Sequence, residues 1–180
     1  MNIMTERFGE LQVADQEIVS IPHGLLGFPK LTQFCIVDPG DGVLILWLQS
    51  LEDSRIVFPI LEPKLLQPNY VARLSAQEMR DLGMQSLTGA AVFTILTIGT
   101  DITQMTANYK APIVINLSNQ TGRQVVLQEG EYSIKQSIFK ELRAALLSIP
   151  REPSLLPQEQ ACHVLSIQQI NGTDRVAALG

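Results

Sequence analysis

The sequence predicts an all-β fold: a small antiparallel β-barrel-like domain with one short helix, followed by a C-terminal helical extension. Three observations lead there. Through the first three quarters of the 180 residues, short β-branched and apolar runs alternate with Gly, Pro, Asn and Asp. Two of those runs, Val43 to Leu48 and Val92 to Ile98, are almost continuously apolar, so neither of their faces can look fully at water. An apolar content of 46% also lets a chain of this length bury one compact core. A closed barrel satisfies these conditions, and so do eight short strands stacked as a sandwich.

Taken in order, the strand candidates are Arg7 to Val13, broken by Gly9, then Glu17 to Ile21, Phe34 to Val37, Val43 to Leu48 and Ile56 to Leu61. Val92 to Ile98, Ile113 to Leu117 and Arg123 to Leu127 complete the set. Pro39-Gly40-Asp41-Gly42 and Asn119-Gln120-Thr121-Gly122 supply the fixed or positive φ angles of hairpin turns. Gly24 and Gly27 allow a tight irregular turn from which Leu25, Leu26 and Phe28 plug a barrel end. Ser75 with Glu78 forms a capping box and Gly83 a C-cap, which predicts a short exposed helix over Ala76 to Leu82.

After Tyr132 the period changes. Ile138, Phe139, Leu142, Ala145, Leu146 and Ile149 fall on one side of a helix starting near Ser133 and stopping before Pro150. Pro150, Pro153 and Pro157 then make a stiff linker, and Glu159 to Ile170 reads as a second short amphipathic helix. Residues 1–138 are thus expected to be the β domain and 139–180 a helical or irregular extension.

The net charge is −5, and residues 139–180 hold four basic and four acidic residues, so the whole excess belongs to residues 1–138. Such a surface disfavours direct nucleic-acid binding and suits a basic protein partner. No window reaches the ~18 apolar residues of a membrane span, and Glu6, Arg7 and Glu10 interrupt the place of a signal peptide core. The expectation is a soluble cytoplasmic protein. Cys35 and Cys162 read as ordinary reduced thiols, and His23 and His163 have no metal-ligand spacing around them. No phosphate cradle with a following lysine, nucleophile elbow or run of interleaved basic and aromatic residues occurs. The carboxylate pairs Glu52-Asp53 and Glu129 with Glu131 read as solvated loop charge. The residues therefore imply no cofactor, no metal and no catalytic set. Asn108 and Asn116 flank Ala111-Pro112, where the proline removes a ladder donor; this marks either an edge whose freed backbone the asparagines satisfy or an edge where a partner docks. Trp47, the only tryptophan, reads first as core and second as an interface anchor.

Three ordered stretches carry a resemblance. They are Phe8-Gly9-Glu10 with Ile21-Pro22-His23-Gly24-Leu25-Leu26-Gly27-Phe28; Trp47-Leu48-Gln49-Ser50-Leu51-Glu52-Asp53 leading into Phe58 and Pro63; and Met105 to Asn116 with Gly122-Arg123-Gln124-Val125-Val126-Leu127. Together they resemble the FliW family of flagellar assembly factors over residues 8 to about 138. The resemblance implies a non-enzymatic cytoplasmic protein that binds flagellin when flagellin accumulates. When free, it would bind the translational regulator CsrA and antagonise it allosterically, away from the RNA site, so coupling flagellin synthesis to export. It also implies partner contacts at the polar positions Gln49, Glu52, Asp53, Asn108 and Tyr109, read as exposed. The chain departs from the family pattern by continuing past Ile138 to Gly180. The competing reading is a small-ligand-binding or enzymatic β-barrel. Its motivation is the apolar strands and the Glu52-Asp53 pair.

Overall fold

The computed structural model describes residues 1–40, 42–128, 130, 132–149 and 162–170. The N-terminus is a hairpin of β1 (Asn2–Thr5) and β2 (Gly9–Gln12), paired from Asn2↔Gln12 to Thr5↔Gly9. Then come β3 (Ile18–Ser20), β4 (Gln33–Asp38), β5 (Leu46–Ser50) and β6 (Val57–Leu61). A helix, α1 (Ala76–Asp81), precedes β7 (Ala90–Thr97), β8 (Thr106–Ala107), β9 (Ile113–Asn116) and β10 (Thr121–Gln124). The chain continues through β11 (Gln136–Ser137), α2 (Phe139–Ser148) and β12 (His163–Val164).

Seven strands close into a barrel in the order β7-β6-β5-β4-β3-β10-β9, with β9 returning to β7. All pairs are antiparallel except the seam, where β10 meets β3 in parallel at Thr121↔Ser20. The fold is therefore the barrel of the two architectures the sequence allowed. Period-two alternation sends Val19, Phe34, Ile36, Leu46, Leu48, Ile60, Phe93, Ile113 and Ile115 inward, where they pack into one buried cluster. Gly122 belongs to this lining: a Cβ there would lie 3.1 Å from Ile21 Cγ1.

The continuously apolar strands are explained by what covers their outer faces. Cys35 and Val37 of β4 lie under the β1–β2 hairpin with Leu11 and Val13. Leu61, Leu96 and Val114 face a second layer built from Tyr70, Leu82, Leu127 and Leu142, so α1, α2 and the connections sheath the opposite side. Trp47 is half-buried between these outer layers, its ring under the Arg7 guanidinium at 3.6 Å and edge-on to Phe8.

Helix α1 follows its local signals: the Ser75 hydroxyl accepts from Glu78 N–H, the Glu78 carboxylate accepts from Ser75 N–H, and Gly83 sits at φ +67°. Five expectations need correction. The single strand Arg7 to Val13 is replaced by β1 and β2, because Gly9 at φ +70° ends the turn and Thr5 Oγ1 closes it by accepting from Phe8 N–H. The expected strand from Val43 begins only at Leu46. The strand Arg123 to Leu127 begins earlier, at Thr121, although Val125 N–H to Pro112 O and Leu127 N–H to Lys110 O prolong its pairing. The helix expected from Ser133 starts at Phe139, since Gln136–Ser137 is drawn into β11 beside β8. The helix expected over Glu159 to Ile170 is, within 162–170, strand β12 on the edge of β4 and a 3-10 turn at Ile167–Ile170. The proline linker, Asp41, Glu129 and Glu131 lie outside the described residues. Leu25 is buried as expected at the Gly24–Gly27 turn and Phe28 packs on the core edge-on to Phe58, but Leu26 turns outward at 63% exposure.

Candidate partner-binding surface

The end of β5 and the β5–β6 turn carry three of the five polar positions read from the sequence. Gln49 is not an exposed residue: it is 0% accessible, and its Nε2 donates to the carbonyls of Ser50 at 3.0 Å and Ile56 at 3.1 Å. It points out of the barrel, but the turn folds over it and the N-terminal hairpin follows, Glu6 N–H donating to Ser54 O. Gln49 thus shapes the loop from beneath. Glu52 is exposed and its carboxylate accepts from Thr32 Oγ1 and Gln33 N–H, tying this turn to the start of β4. Asp53 pairs with Arg55 at 2.9 Å, and the hydrogen bonds from that guanidinium hold its carboxyl below the ordinary range.

Asn108 and Tyr109 sit on the β8–β9 connection, with hydrogen-bond partners wholly different from those of the first group. Asn108 Oδ1 accepts from Ala111 N–H at 3.0 Å, forming the local asparagine turn that Pro112 invites. Its companion Asn116 is buried, and its Nδ2 donates to Leu82 O at 2.8 Å, fastening the end of α1 to β9. Tyr109 is corrected from exposed to buried at 3%, because Tyr70 stacks against it at 5.5 Å between ring centroids and Tyr132 stacks on Tyr70 at 4.6 Å. Burial pushes both the Tyr70 and Tyr109 hydroxyls above the ordinary phenol range. The Tyr70 hydroxyl donates to the Tyr109 carbonyl at 2.8 Å. Tyr70→Phe is expected to destabilise the fold by about 1–2 kcal/mol, measured by urea denaturation, because a buried acceptor loses its donor while ring packing survives.

Sequence reasoning missed a second surface feature. Between the 3-10 turn Ile102–Gln104 and α2, an apolar groove of about 350 Å³ is lined by Val43, Ile45, Met105, Phe139, Leu142 and Leu146, with Arg143 at its side. Leu147, outside the helical stripe recognised in the sequence, is exposed beside it. The only signal for it was that one stripe of α2 left a second apolar flank.

Cys35 is fully buried, and burial followed by the nearby Glu17 carboxylate pushes its thiol up to about 12. Among the described residues, no group of three or more His, Cys, Asp and Glu is placed to hold a metal ion, and no helix is long and apolar enough to cross a membrane.

Apolar side chains from all the barrel strands except β10 pack into one interior cluster, which defines the protein as a small closed β-barrel. The chain belongs to the FliW family, whose model, described as FliW protein, matches residues 2–138. It is 39% identical over 150 residues to the flagellar assembly factor FliW of Bdellovibrio bacteriovorus, covering 83% of this chain and 86% of that protein. It is 34% identical over 144 residues to the flagellar assembly factor FliW of Alkaliphilus metalliredigens, covering 79% and 89%. A crystal structure of the flagellar assembly factor FliW superposes with a TM-score of 0.72 at 29% identity, over 77% of this chain and 97% of that one.

Proposed function

We propose that this chain is a cytoplasmic partner switch of flagellar assembly. It holds flagellin while flagellin is abundant and, when released, binds CsrA and antagonises it allosterically. The observation that carries this reading is membership of the FliW family across the whole barrel, residues 2–138. The acidic excess of those residues supports it, since a basic regulator is drawn to such a surface. Glu52, Asp53 and Asn108 are the proposed surface contacts, and Gln49 and Tyr109 support them from below.

Calorimetric titration of the full chain with flagellin and with CsrA, followed by competition at moderate salt, tests the reading. Saturable binding of each that excludes the other is the expected result. No heat with either protein overturns it.

A further inference from the structure

Strand β4 changes neighbours along one edge. At Gln33–Cys35 that edge is paired with β3. At Val37 the opposite edge holds Trp47 of β5, so β12, in register as Val164↔Val37 and His163↔Asp38, takes the edge that β3 has left. The pairing is prolonged by Leu165 N–H donating to Ile36 O at 2.8 Å. Leu165 and Ile170, 3% and 2% exposed, are buried in the same cluster as the barrel interior. Residues 162–170 lie beyond the 2–138 that match the family. The family barrel therefore offers an edge whose last peptide groups this chain covers with a strand of its own.

Two features suit that edge to exchange. The resident strand makes only two register pairs; Leu165 and Ile170 are its buried anchors, with Val164, Ile167 and Cys162 packed half-buried beside them, so it is a small ligand by the standards of strand addition. Its surroundings are acidic. Glu10 lines the crevice of about 270 Å³ between β2 and β12, and Asp38 faces His163 across the pair.

We propose that the β4 edge at Val37–Asp38 is a strand-acceptor site for an extended, aliphatic and basic segment of a partner protein, with residues 162–170 as its built-in competitor. This deepens the protein-binding reading above and rests on it. A partner gains the edge only as the resident strand leaves, so the tail sets a threshold on binding.

Cys162 reports directly on that exchange, because it sits at the start of the resident strand, whereas Cys35 is fully buried under the N-terminal hairpin. The probe is a synthetic peptide carrying the sequence of residues 163–170 behind two lysines, added to the full chain while maleimide labelling of each cysteine is followed by mass spectrometry. The expected result is a saturable rise of about tenfold in Cys162 labelling with Cys35 still protected, and no rise when glutamates replace the lysines. In Leu165→Ala, whose tail is held less tightly, the same rise is expected at lower peptide concentration. Unchanged Cys162 labelling in both proteins overturns the inference, as does labelling of Cys35 in parallel, which reports unfolding of the whole chain. Heat with flagellin or CsrA alongside unchanged peptide labelling overturns only this inference. Peptide exchange without partner heat supports the acceptor site and overturns only the proposed switch.

Discussion

Phe34→Ala is expected to destabilise the protein by about 3–5 kcal/mol, the range for emptying a buried aromatic site in a close-packed core. Phe34 is fully buried in the barrel interior, and its strand is held on both sides, by Val19 of β3 and Ser50 of β5, so the wall cannot collapse into the void. Against the ~5–15 kcal/mol that stabilises a typical domain, this loss takes much of the margin. Urea unfolding should show a lower midpoint at unchanged slope. Leu26→Ala, a comparable deletion at an exposed site, should stay within about 0.5 kcal/mol. Equal effects from the two would mean that the assigned interior is not the core.

Gly24→Ala is expected to cost about 2–4 kcal/mol, combining the left-handed backbone with a collision. Gly24 sits at φ +62°, and a Cβ there would lie 2.4 Å from Phe28 O and 2.7 Å from Pro29 Cα, backbone atoms held by the bonds between Leu25 and Phe28. Gly27, three residues on at φ +85°, opens onto free space, and a Cβ there would meet nothing within 4 Å, so Gly27→Ala should cost only about 1 kcal/mol. Thermal melts of the two variants should therefore separate by several degrees, and coincident melts would refute the collision.

What the sequence disclosed was local. The Ser75–Glu78 capping box and Gly83 specify α1 without help from any distant residue, and the apolar runs announce most barrel strands. Closure was not legible, because it depends on β9 returning to β7 and on Ser20 meeting Thr121, pairings that no window contains. The tail shows the same limit: Val164 and Leu165 suit a helix or a strand equally, and the vacant edge of β4 decides. Of the candidate contact residues, Glu52, Asp53 and Asn108 reach the surface, Asp53 and Asn108 only in part. Gln49 was misread because a polar residue in an alternating strand is ordinarily solvated, whereas here a turn and a hairpin roof it over. Tyr109, next to Lys110, was misread because its cover comes from Tyr70, which is distant in sequence and is itself backed by Tyr132.

The parallel seam also fixes an order of events during synthesis. Ser20 N–H donates to Gln120 O, and the Gln120 side chain reaches the carbonyls of Asp15 and Ile18. Strand β3 emerges from the ribosome early but must wait for β10 before that side of the barrel can be sealed. Joining such distant residues is the slow part of folding a sheet protein. Until it happens, Val19 and Ile21 lack the cover that β10 gives them at Gly122.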